Sequence, residues 1–115
     1  MTCRHVAATI TILGLSLGLA GPARPQADAV ASATIHVFQF QPATVEVRTG
    51  TRVTWTNQDA ITHTVTSGVP ERPDGRFDVR LEGNGTSGGA LFATPGAYPY
   101  FCARHPSMRG EVVVR

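Results

Sequence analysis

Thr44-Val45-Glu46-Val47-Arg48-Thr49-Gly50-Thr51-Arg52-Val53-Thr54-Trp55-Thr56 alternates apolar and polar residues on either side of a single glycine. Alternation with period two marks a half-buried strand, and a glycine between two such runs marks the turn that joins them. Val45 and Val47 fall on one face of the first run, Val53 and Trp55 on one face of the second. The same pattern continues outward. Ile35-His36-Val37-Phe38-Gln39-Phe40 forms an earlier run that stops before Pro42. Asn57-Gln58-Asp59 reads as a loop, and Thr62 to Ser67 is a β-branched run carrying His63. Ala90-Leu91-Phe92-Ala93 precedes a Pro95-Gly96 turn, Tyr98 to Cys102 forms another run, and Glu111 to Arg115 closes the chain. Between Gly68 and Gly89 the chain is rich in Pro, Gly, Asp and Arg, with Phe77-Asp78-Val79-Arg80-Leu81 as its strand-like island, so the expectation is either a missing strand or a loose loop there. About seven short strands with regular turns predict an all-β fold, a small Greek-key β-sandwich. Loops of such a sandwich gather at its two ends, so residues distant in sequence meet at one pole.

The first third of the chain stands apart from this pattern. Arg4 and His5 precede an apolar stretch from Val6 to Ala20 broken by Gly and Ser. That is the charged-then-apolar order of a secretory signal, too short for a membrane span. No paired arginines follow Met1, so the twin-arginine route has no support. Ala27-Asp28-Ala29 and Ala31-Ser32-Ala33 both fit a small-residue cleavage site. Residues 1–33 are therefore read as signal peptide and linker, and residues 34–115 as one domain. The expected location is the periplasm or another exported compartment, with no membrane span in the mature chain; retention as a membrane anchor is the alternative. The domain left after export carries eight basic and seven acidic residues. So even a balance excludes the basic stripe that nucleic acid demands.

Cys102-Ala103-Arg104-His105-Pro106-Ser107-Met108 carries the chemistry. A thiolate, an imidazole and a thioether recur every three residues, and Met108 is the sole methionine besides the initiator. Exported cysteines usually pair, yet with Cys3 lost in the signal Cys102 has no partner within the chain. It is buried and inert, reactive, or metal-bound. One Cys, two His and a weak axial Met form the blue-copper donor set. His63 is the candidate for the second imidazole, and His36 reads as an edge or surface residue.

With these residues in view, the chain resembles a small cupredoxin, a blue copper protein, nearest in loop spacing to the amicyanin and plastocyanin branch. The resemblance rests on Phe40-Gln41-Pro42, Gly50 to Asn57, His63-Thr64-Val65, Pro95 to Cys102 and His105 to Val112. It implies one copper bound by His63, Cys102, His105 and Met108, and a monomer that shuttles single electrons between redox protein partners. The aromatic residues Tyr98, Tyr100 and Phe101 are expected to exclude water from the thiolate. One position departs from the pattern: larger members carry Asn after the first His ligand, where this chain has Thr64. A hydroxyl makes only part of the amide's hydrogen bonds, so Asn57 or Asp59 are candidates to complete them. Three other functions compete. A copper carrier or storage protein would favour exposed Met or His clusters, which this chain lacks. An enzyme using Cys102 as nucleophile and His105 as base would want a group orienting that base, and it leaves Met108 unexplained. A plain adhesive sandwich leaves the whole loop unexplained.

Overall fold

The computed structural model describes residues 29–115, together with Gly14 and Gly18. The expected signal peptide and the first part of the linker lie outside the described residues. Nine strands follow in chain order: β1 (Val30–His36), β2 (Gln39–Gln41), β3 (Thr44–Val47), β4 (Thr51–Asn57), β5 (His63–Val69), β6 (Arg72–Leu81), β7 (Ser87–Phe92), β8 (Gly96–Phe101) and β9 (Arg109–Val114). They form two sheets, ordered β2-β1-β4-β7 and β3-β9-β8-β5-β6. This is the all-β Greek-key sandwich that the alternation predicts. Of the strands beyond the seven expected, one arises because Ile35 to Phe40 is two strands joined by a tight turn, His36 pairing with Gln39 across Val37 and Phe38. β1 begins at Val30, and its residues 30–33 pair in parallel with Arg52–Trp55 of β4.

The segment from Gly68 to Gly89 corrects the expectation of a loose loop. β6 takes up ten of its residues, just under half, the Phe77–Leu81 island included, and runs antiparallel to β5, with a bulge between Thr66 and Gly68. β6 is the edge of its sheet, so its N-terminal half is exposed. At an edge, Pro73 removes no ladder bond and Asp74 and Gly75 bury nothing, which is why a strand hides in turn-like composition. Gly88 likewise reads as a breaker but belongs to β7. A Cβ there would come within 2.5 Å of Val79 Cγ1 on the facing sheet, so the missing side chain lets the two sheets close.

Between the sheets lies an aromatic core around Trp55, which is fully buried. Its ring centroid lies 5.3 Å from Tyr100 and 6.0 Å from Phe77, and its indole N–H donates to the Tyr100 hydroxyl at 3.3 Å. Burial pushes the Tyr100 phenol pKa up, partly offset by that hydrogen bond, so the group stays neutral. Phe40 and Phe92 extend the cluster edge-on. Each such ring pair is worth about 0.5–1.5 kcal/mol beyond its buried area. Trp55 and Tyr100 stand near the ends of β4 and β8 that lead into the site, so this packing fixes those two ends.

Candidate metal centre

β8 runs from the aromatic core into the loop at Cys102, and β9 returns from Met108. Three backbone bonds close that loop on its own candidate donors. The His105 N–H donates to the Cys102 carbonyl at 3.2 Å, the Met108 N–H to the His105 carbonyl at 2.8 Å, and the Cys102 N–H to the Met108 carbonyl at 3.1 Å. The three-residue spacing is thus the spacing of successive turn bonds. Pro106 sits where its missing N–H costs nothing in this set.

His63 opens β5, the strand beside β8 in the same sheet, and reaches the same point from there. Cys102 Sγ lies 3.7 Å from His63 Nδ1 and 3.6 Å from His105 Nδ1. These three donor atoms lie within 4.8 Å of one another. His63 and Cys102 are fully buried, Met108 is 4% exposed and His105 is half-buried. His36 stands exposed on β1, outside the group. Met108 packs in the hydrophobic core beneath the loop. The donor chemistry fits copper: a thiolate and a thioether suit Cu(I), and imidazoles suit Cu(II) as well.

The groups around these donors are satisfied side chain by side chain. His63 Nε2–H donates to Asp59 Oδ2 at 2.8 Å, which leaves Nδ1 as the bare nitrogen available to a metal. Asn57, fully buried at the end of β4, shapes the loop that delivers Asp59 and His63. Its amide donates to the carbonyls of Ile61 (2.7 Å) and Leu81 (3.1 Å), and its Oδ1 accepts the Asp59 N–H (2.9 Å).

Thr64 replaces the expected asparagine in a different way. Its N–H donates to Cys102 Sγ at 3.4 Å, and its hydroxyl oxygen accepts the Ala103 N–H at 2.8 Å. The hydroxyl proton goes on to Thr66 Oγ1 at 2.9 Å, whose own proton goes to Asp78 at 2.9 Å. One hydroxyl therefore both ties the two donor-bearing segments together and starts a chain to the surface.

Two expectations change. Tyr98 does not cover the thiolate: its ring packs on Phe92, Arg76 lies over it at 5.0 Å, and its hydroxyl donates to the Thr94 carbonyl at 2.7 Å. That bond to a carbonyl four residues upstream makes it the structural tyrosine of a strand corner. Tyr100 belongs to the aromatic core. The ring that stands at the donors is Phe38, with its centroid 5.3 Å from the His63 ring and 5.0 Å from the His105 ring, edge-on to both.

Sequence reading missed Phe38 because it appears there as one more residue of a strand. Its turn is unusual: Val37 and Phe38 both have positive φ, 49° and 59°. A two-residue hairpin of this kind prefers Asn-Gly, since left-handed backbone costs about 1–2 kcal/mol per ordinary residue. Asp59 offsets that cost. Its two carboxylate oxygens accept the N–H of Val37 at 2.8 Å and of Phe38 at 3.0 Å. Burial alone would raise the Asp59 carboxyl pKa, but these two N–H donors and His63 outweigh it, and the net shift is downward.

Residues 27–115 match the model of a family described as copper binding proteins, plastocyanin/azurin family. The chain belongs to that family. Chloroplastic plastocyanin of Tetradesmus obliquus is 34% identical over 117 residues, covering 95% of this chain and 79% of that protein. Amicyanin-alpha of Methylorubrum extorquens is 38% identical over 81 residues, covering 67% of this chain and 65% of the relative. Among solved structures, a purple cupredoxin from Nitrosopumilus maritimus superposes with a TM-score of 0.67 at 29% identity, covering 74% of this chain and 99% of that one. An oxidised amicyanin carrying a proline-to-alanine substitution superposes with a TM-score of 0.62 at 30% identity, covering 77% of this chain and 85% of that one. The cupredoxin resemblance read from the ligand loop thus holds along the whole sandwich, and copper is the metal of this family. Among the described residues no helix is long and apolar enough to cross a membrane.

Proposed function

We propose that His63, Cys102, His105 and Met108 hold one copper, and that the protein carries single electrons between redox proteins. The observation that carries this reading is the convergence of two Nδ1 atoms and one Sγ within 4.8 Å at one pole of a cupredoxin sandwich. Copper at that point supplies a one-electron couple. The chain's part is to keep the donors still while charge changes. Backbone bonds among Cys102, His105 and Met108, the Asp59 bond to His63 and the Thr64 bridge all restrain donor movement, and a site that moves little exchanges electrons with little reorganisation. Burial of His63 and Cys102 favours a retained metal over one handed on, which separates this reading from copper carriage.

Export is part of the same proposal. Cleavage after Ala31-Ser32-Ala33 would remove Val30 to Ala33, whose backbone pairs with Arg52 to Trp55 of β4. Cleavage at Ala27-Asp28-Ala29 keeps β1 whole and is the site expected. The partner surface is the pole around half-buried His105. Arg104 is exposed there, whereas Arg109 lies 3.9 Å from Glu71 in a loose, exposed pair. Voltammetry of the copper-loaded protein tests the function. A single reversible one-electron wave, with copper still bound afterwards in the presence of a metal acceptor protein, is expected. Loss of copper to the acceptor on each reduction would favour carriage instead.

A further inference from the structure

Copper proteins of one electron must keep small ligands off the metal, and this chain has a specific reason to need that. A cleft of about 180 Å³ opens beside the candidate centre, lined by Phe38, Phe40, Ala43, Ser107, Met108 and Arg109. Arg109 stands at its wall, and its pairing with Glu71 is a loose, exposed one at 3.9 Å that offsets little of the charge, so small anions are the solutes this cleft would concentrate. Phe38 lines this cleft, and its ring is edge-on to both His63 and His105. It does so although 49% of the residue remains exposed, so its position is not that of an ordinary core side chain.

The turn holding it is costly, and nothing in the local sequence favours it. Val37 and Phe38 occupy left-handed backbone where Asn-Gly is preferred. Val37 is 65% exposed and contributes little burial in return. Observed strain of this kind points toward function. The compensation comes from Asp59, which accepts both turn N–H groups with the carboxylate that also fixes His63.

From these observations we propose that Phe38 is a shield closing the metal pole to small anions, latched in place by Asp59. This rests on the copper reading above. Asp59 acts through the turn and through His63, and is a positioning residue. The latch couples two tasks: the bond that presents His63 Nδ1 to the metal is made by the group that sets the shield.

The test uses the copper-loaded full domain, azide as the anion, and the visible spectrum as readout. Wild type is expected to be blue and unchanged by a large excess of azide. Phe38→Ala should stay blue but respond, with an apparent azide affinity about tenfold or more above wild type. Asp59→Ala should respond as well, because the turn is released. Adding Val37→Asn to Asp59→Ala, which restores a left-handed turn without the carboxylate, should recover resistance to azide.

Two measurements on the metal-free protein stand apart from the copper. Val37→Asn alone should raise the melting temperature by roughly 5 °C, since it relieves the turn while leaving the ring. Nitrogen NMR should show the His63 proton on Nε2 in wild type and in Phe38→Ala, but shared between tautomers in Asp59→Ala. A blue Phe38→Ala variant as inert to azide as wild type overturns the shield. A lower melting temperature for Val37→Asn, or an unchanged tautomer in Asp59→Ala, overturns the latch. A wild type that never turns blue overturns the copper reading itself, a distinct outcome.

Discussion

Cys102 to Met108 and the segment around His63 bring donors to the same point by opposite means. The first is held by its own backbone: three N–H to carbonyl bonds run among Cys102, His105 and Met108. The second is held by side chains from elsewhere. Asn57 braces the loop, Asp59 fixes the His63 ring and Thr64 reaches across to Ala103 and Cys102. Local bonds need only a short stretch of suitable spacing. Long-range ones need the two sheets to be in register, so the His63 side depends on the whole sandwich. Damage far from the site should therefore leave the shape of the ligand loop intact while copper affinity falls, and the His63 side should fail first.

The largest expected effect falls where the loop meets the core. Gly110 pairs with Tyr100, and a Cβ there would come within 2.5 Å of Tyr100 Cε2 and Oη. Gly110→Ala should cost about 3 kcal/mol or more, since Tyr100 is fixed by Trp55 and cannot withdraw. Chemical denaturation of the metal-free protein measures it. Survival at near wild-type stability would mean the core yields more readily than its aromatic contacts imply.

Asn57→Ala strikes the His63 side alone. It strands the Ile61 and Leu81 carbonyls and the Asp59 N–H, and should cost about 2–4 kcal/mol. Copper affinity should fall with it, while the Cys102 loop keeps its backbone bonds, as amide exchange would report. Equal loosening of both segments would break the contrast between them.

A smaller effect isolates the bridge between the two segments. Thr64→Val removes the acceptor for the Ala103 N–H and should destabilise by about 1–2 kcal/mol; Thr64→Ser should restore most of it. The reduction potential should move in Thr64→Val and return in Thr64→Ser, because hydrogen bonding around the thiolate tunes the metal. No shift in either variant would confine Thr64 to a packing role.

The smallest effect is one of pH. The Asp59 carboxyl pKa is lower in the folded protein than in the unfolded chain, so it contributes stability above the unfolded value, near ~3.9. That contribution is lost as pH falls through the folded value. The stability difference between wild type and Asp59→Asn, measured without metal, should be constant near neutrality and shrink below about pH 4. A difference that grows on acidification would reverse the sign assigned here.

Legibility follows the same divide between local and distant contacts. The Cys102 loop is readable because its spacing and its rare residue types sit in one short stretch. The alternating strands β3 and β4 are readable because one of their faces is buried. β6 is readable only in its second half, Phe77 to Leu81, which alternates; its exposed first half does not, and Pro73 and Gly75 read as turn. Phe38 is hidden for a different reason. Its value lies in a left-handed turn whose cost Asp59 offsets from another loop, and no local pattern encodes that pairing. Thr64 reads as a partial substitute for an amide; its backbone N–H to Cys102 Sγ is a contact that residue type does not reveal.

The most direct test of the central claim is the visible absorption of the purified domain titrated with Cu(II). One equivalent should produce an intense blue thiolate-to-copper band that saturates, and Cys102→Ser should bind copper without it. A colourless wild type, or a Cys102→Ser variant that stays blue, would contradict the assignment of Cys102, His63, His105 and Met108 as the copper site.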